Sequence, residues 1–216
     1  MKNAQYWDAR FKALEKEVHK HSRNLYLRLE DEYKRATIRI NRDIENWYMH
    51  FAENNEMTFL DAKRILDVSE ISEFEMTLEN YLKVAKSGKF SDEWLRQLDN
   101  YNTRVKITRL EYIYVQIQQH IEELFGNELD WVSNLERKIY EDTYYKTAFE
   151  IQKRISVGWQ FDRLAEKELD KILLTPWTAD HLNFSDRIWQ DKEKLVDTLK
   201  TELIQMVIRL NRSFGT

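Results

Sequence analysis

Cysteine is absent from this sequence of 216 residues, proline occurs once and glycine four times. Without cysteine there can be no disulfide, no thiolate zinc site and no cysteine nucleophile, and the chain suits a reducing compartment. The scarcity of glycine and proline argues against a strand-rich fold, whose many turns draw on both residues. Four glycines are also too few for the loops that cradle phosphates or dinucleotides, and no such motif occurs. No run approaches the roughly 18 uncharged apolar residues of a membrane span, and the opening Met1-Lys2-Asn3-Ala4-Gln5-Tyr6 lacks the apolar stretch of a signal peptide. A large excess of one charge sign is missing too. The 34 basic residues stand against 38 acidic ones, for a net charge of −4, so bulk charge does not mark a nucleic-acid binder.

What remains is a helix-forming composition. Hydrophobic residues make up 42% of the chain, aromatics 13% and charged residues 33%. Apolar residues recur at strides of three and four, the signature of amphipathic helices. The longest stripe runs Trp7, Phe11, Leu14, Val18, Leu25, Leu29, Tyr33, Ala36, Ile40, Ile44, Trp47, Phe51, with one break near His21 and Ser22. A continuous helix over residues 4 to 52 would reach ~70 Å at 1.5 Å per residue. It either projects toward a partner or lies along the body, with a bend near residue 22 as a further option. Thr58 and Asp61 suggest a cap for a short helix over 59–66, and another helix starts at Ser69 or Ser72 and ends at Gly88. Ser91 caps a helix running to Leu124-Phe125 and stopping at Gly126-Asn127. A further helix covers 128–155 and ends at Gly158. A short one spans Glu166 to Leu174, and Ser185-Asp186 opens the last. The expected fold is all-α: an elongated helical bundle with a long N-terminal helix and one irregular segment near residues 157–185. The expected organisation is a long helix over 1–55, a candidate docking arm, and a helical body over 56–216.

Nothing in the sequence assembles a catalytic centre. The five histidines form no His-Glu-x-x-His, and none follows a glutamate by three residues, so the Glu-x-x-His signature of bundle di-iron sites is missing. His19 and His21 fall on different helix faces. The adjacent acids Glu122-Glu123 and Glu141-Asp142 diverge by about 100° on a helix and read as solvated faces. The expectation is no enzyme, no metal and no cofactor. Arg35, Arg39 and Arg42 share a helix face and are candidate phosphate contacts for double-stranded DNA, although neighbouring acids such as Asp31 and Asp43 would neutralise part of that charge. The apolar Trp7, Phe11 and Leu14 need a partner surface, inside the chain or outside it. Trp159, Trp177, Phe184 and Trp189 crowd the irregular segment as packing or interface aromatics.

Two stretches carry a family resemblance. One is Ile139-Tyr140-Glu141-Asp142-Thr143-Tyr144-Tyr145-Lys146-Thr147-Ala148-Phe149, followed by Val157-Gly158-Trp159-Gln160-Phe161. The other is Pro176-Trp177-Thr178-Ala179-Asp180 with Asn183-Phe184-Ser185-Asp186-Arg187-Ile188-Trp189. Together they resemble the head-morphogenesis, or minor capsid, proteins of tailed phages and prophages of Gram-positive bacteria, the Mu F-like group. The resemblance implies a virion assembly component inside the head, made in the bacterial host cytoplasm. It implies the phage portal protein and the inner capsid as partners, and no membrane. A DNA-associated packaging or ejection factor and a short phage-encoded helical effector are the alternatives. Such proteins usually continue into a further, cysteine-bearing region, and that continuation is expected to be missing here. The family brings no catalytic residues to map onto this chain.

Overall fold

The computed structural model describes residues 4–52, 78–87, 90–103, 108–155, 164–176 and 178–213. Six helices account for most of them: α1 (Ala4–Ala52), α2 (Leu78–Ser87), α3 (Asp92–Thr103), α4 (Arg109–Ile155), α5 (Glu166–Leu173) and α6 (Phe184–Ser213). No strand occurs among the described residues, and α1 is the long N-terminal helix that the stripe predicted. No helix among them is long and apolar enough to cross a membrane. The expected helix over 59–66, the start at Ser69 or Ser72, and Gly88 and Gly158 lie outside the described residues.

The chain forms two compact units. Unit 1 takes Met1–Asp31 and Glu128–Arg187, and unit 2 takes Glu32–Asn127 and Ile188–Thr216. In unit 1 the start of α1 runs antiparallel to the end of α4. Tyr6 and Arg10 meet Glu150, Glu17 meets Lys146, and the Arg28 guanidinium lies 3.6 Å from the centre of the Trp131 ring. In unit 2 the same two helices pair through Tyr33 against Phe125 and Asp43 against His120. The gap in the apolar stripe is not a bend. Leu14, Val18, His21, Leu25 and Leu29 form one partly buried row, with His21 taking an inward position in an unbroken helix.

The core of unit 2 packs Tyr81, Leu82 and Ala85 of α2 against Trp94 and Leu98 of α3 and Val115 of α4. The first half of α4 is buried over most of its circumference, from Tyr112 and Ile113 through Ile117 and Ile121 to Leu124 and Phe125, with Glu123 exposed and Tyr114 and His120 partly buried. A helix enclosed over most of its surface shows a blurred stripe. It also continues through the buried Gly126, where a stop was expected. A mid-helix glycine costs about 1 kcal/mol relative to alanine, which the buried Leu124 and Phe125 beside it offset.

Helix starts follow local chemistry. Ser91 caps α3 as expected, its Oγ accepting from the Trp94 N–H at 3.2 Å. The helix expected to run from Ser91 to Phe125 is instead two. The second begins with a reciprocal box in which Thr108 Oγ1 accepts from the Glu111 N–H and the Glu111 carboxylate accepts from the Thr108 N–H. Helix α6 starts the same way. Asn183 Oδ1 accepts from the Asp186 N–H and Asp186 Oδ2 accepts from the Asn183 N–H, so Asn183 is the cap in place of Ser185.

The turn before α6 is built around Asp180. It accepts from the Thr178 hydroxyl, the Leu182 N–H and the Arg187 guanidinium, with the Thr178 hydrogen bond first in holding its carboxyl below the usual range. This turn sets His181 at φ 57°, the left-handed region. A non-glycine residue there carries strain of about 1–2 kcal/mol, while glycine restores about 0.5–1 kcal/mol of unfolded-chain entropy. His181→Gly is therefore expected to stabilise the protein by under ~1 kcal/mol, with a Tm rise of about 2–4 °C per kcal/mol. A lower Tm for the variant would show that the imidazole itself holds the turn.

Candidate docking groove

Unit 1 carries a groove of about 520 Å³ between α1 and α4. Arg10, Ala13, Leu14 and Glu17 form one wall, and Asp142, Tyr145, Lys146, Phe149 and Glu150 the other. Helical spacing explains the walls. Arg10, Leu14 and Glu17 are four and three apart, as are Asp142, Lys146 and Phe149, so each set lies on one face.

Polar contacts clamp both ends. The Tyr6 hydroxyl donates to Glu150 Oε2 at 2.6 Å, and Arg10 meets Glu150 Oε1 at 3.0 Å. Further along, Lys146 Nζ donates to Glu17 Oε2 at 2.6 Å. That hydrogen bond holds the Glu17 carboxyl below the usual carboxylate range and raises the Lys146 ammonium above its own.

Of the residues proposed for the docking arm, Leu14 is partly buried and lines the groove. Trp7 is partly buried, edge-on to Tyr6 at 5.5 Å, with the Arg154 guanidinium 5.2 Å from its ring centre. Phe11 faces solvent at 54% exposure and is not among the residues lining the groove, whereas Phe149 on the α4 wall is 61% exposed. Sequence reasoning named Phe11 and missed Phe149, which sits two residues before Ile151 and outside the stripe assigned to that helix.

Phe184 lines a second hollow of unit 1, about 460 Å³, together with Ile139, Leu173 and Leu182. Burial pushes the Glu136 carboxyl at its edge upward. Trp189 belongs to unit 2, partly buried, with Lys192 Nζ 4.8 Å from its ring centre. Trp159 and Trp177 lie outside the described residues. The three candidate DNA contacts each have an acidic neighbour: Arg35 with Glu32 at 3.5 Å, Arg39 with Glu123 at 4.0 Å, Arg42 with Asp43 at 4.0 Å. Their face is one of balanced charge.

Unit 1 also brings together residues that the sequence did not group. Glu17 and His21 of α1 converge with Asp142 of α4. In unit 2, Glu122, expected on a solvated face, is fully buried and bonded to Lys192 and Ser91.

No family model, curated protein or solved structure matches the chain.

Proposed function

We propose that this chain is a non-enzymatic assembly component of a tailed-phage head, a minor capsid protein that docks on the portal complex from the interior of the particle. The resemblance of the Tyr140–Phe149 and Pro176–Trp189 stretches supports the role. The observation that carries docking is the groove between α1 and α4, whose wall presents the 61% exposed ring of Phe149, with the 54% exposed Phe11 on α1 next to the lining residue Arg10. Large aromatic rings are the usual anchors of protein interfaces, because they bury much area at little entropy cost. Charged pairs lining the groove, Arg10 with Glu150 and Lys146 with Glu17, supply a polar rim. The acidic partners of Arg35, Arg39 and Arg42 do not favour the DNA-binding alternative.

The test is binding of the full chain to the portal protein of the same phage. The wild type is expected to bind, and Phe11→Ser/Phe149→Ser to bind at least about 30-fold more weakly, the loss typical of an interface hot spot. Melting should stay unchanged, since both rings already face water. A wild type that ignores the portal, or a double variant that binds equally well, overturns the reading.

A further inference from the structure

We infer that Glu17, His21 and Asp142 form a site for a divalent metal ion of the zinc class, which no feature of the docking reading requires. Glu17 and His21 are one helical turn apart on α1, so both side chains leave the same face. Asp142 meets them from the antiparallel α4. One donor atom from each residue lies within 4.8 Å of the other two. Donors around a tetrahedral zinc with bonds of about 2.0–2.2 Å sit roughly 3.4 Å apart.

The space between the donors is a second, independent observation. Glu17, His21, Asp142 and Thr143 border a void of about 10 Å³, backed by Leu14 and Val18. That is near the smallest space that holds one water-sized particle. The void shares Leu14, Glu17, Asp142 and Lys146 with the larger groove, which gives an ion a route in from solvent. An apolar backing behind mixed nitrogen and oxygen donors also strengthens the field the donors impose on an ion.

The electrostatics already select a cation. Lys146 Nζ lies 2.6 Å from Glu17 Oε2 and 3.9 Å from Asp142 Oδ2, and Lys138 Nζ lies 3.4 Å from the same Asp142 oxygen. Lys146 is 40% exposed and carries a flexible stem, so it can swing into the groove when a divalent ion replaces it. One imidazole and two carboxylates suit zinc or a neighbouring divalent transition metal and leave a coordination position for water. The lysine is then a built-in competitor that sets the affinity.

The molecule supplies its own control. Glu15 and His19 repeat the same spacing one step earlier on α1, 3.6 Å apart and solvent-exposed. Among the described residues no third donor joins them.

The experiment is calorimetric titration of the full chain with zinc, alongside visible absorption with cobalt as the substituted probe. One ion per chain is expected. His21→Ala and Asp142→Asn should each weaken binding by at least about 10-fold, the range known even for residues one layer behind a metal's ligands. Lys146→Gln should tighten it, because Glu17 loses its internal cation, while Asp142 keeps Lys138 at 3.4 Å. His19→Ala should change nothing. Far-UV circular dichroism of each variant separates lost ligands from lost helix. If His19→Ala weakens binding as much as His21→Ala, the ion is adventitious and the proposal fails. It fails equally if the wild type takes up no stoichiometric ion, including the case in which Lys146→Gln alone binds, because the lysine then closes the site in the native chain.

Discussion

Lys192→Met should destabilise the protein by about 3–5 kcal/mol, the usual cost of stranding one partner of a buried ion pair. Glu122 has no exposed side-chain surface and Lys192 only 9%, with 2.7 Å between Nζ and Oε1. Two more contacts fix the ammonium, Ser91 Oγ at 3.3 Å and the Trp189 ring at 4.8 Å. The same glutamate accepts from the Ser91 hydroxyl at 2.8 Å, so the pair ties the cap of α3 to α4 and α6. Methionine matches the stem of lysine and removes only the charge, leaving a buried carboxylate that keeps its Ser91 hydrogen bonds but loses its countercharge. The double variant Glu122→Met/Lys192→Met should recover most of the loss, since apolar replacements of buried pairs are often neutral or better. Urea denaturation of the wild type, the single and the double variant decides it. A single-variant loss below about 1 kcal/mol would mean that the pair behaves like a surface salt bridge, and a double variant as weak as the single would place the effect in packing instead of charge.

The all-α class was legible because it rests on local rules: little glycine and proline, strides of three and four, and serine or threonine before acids. Helix α1 and the Ser91 cap follow from such rules. The departures share a physical cause. Gly126 breaks an isolated helix, but in α4 it is itself buried in a largely enclosed segment, where tertiary burial outweighs a propensity of about 1 kcal/mol. The solvated reading holds for the exposed Glu123 and fails for Glu122, whose burial is invisible one-dimensionally. Its partner Lys192 lies in another helix at no fixed spacing. His21 marked the gap in the apolar stripe, and the gap was real. It signalled a polar group at an inward position, opposite Asp142, and not a bend. The pairing Glu17-x-x-x-His21 escaped a search tuned to Glu-x-x-His, although a stride of four aligns side chains as well as a stride of three. Among the described candidate residues, Leu14, carried by the stripe, lines the groove, and Phe11 is exposed on α1 outside its lining. Phe149, exposed on the far wall, leaves no periodic trace.

Trp94→Ala should cost about 3–5 kcal/mol, toward the upper end of that range for a buried aromatic. Trp94 is wholly buried within the cluster of Tyr81, Leu82, Ala85, Leu98 and Val115, so the alanine variant opens a cavity where α2, α3 and α4 meet. It also strands a polar atom. The indole Nε1–H donates to Gln119 Oε1 at 2.9 Å, and Gln119 is itself buried. An orphaned buried acceptor adds about 1–3 kcal/mol. Trp94→Phe separates the two contributions, because it keeps most of the ring volume and loses only the donor. It should therefore cost about 1–3 kcal/mol, and Trp94→Phe/Gln119→Leu should regain part of that, since the stranded acceptor is gone. Chemical denaturation of the three variants measures each step. If Trp94→Phe costs as much as Trp94→Ala, the hydrogen bond and not the volume holds this corner of unit 2. If Trp94→Ala costs under about 1 kcal/mol, within the range of a surface substitution, the cluster of α2, α3 and α4 is not the core that its burial describes.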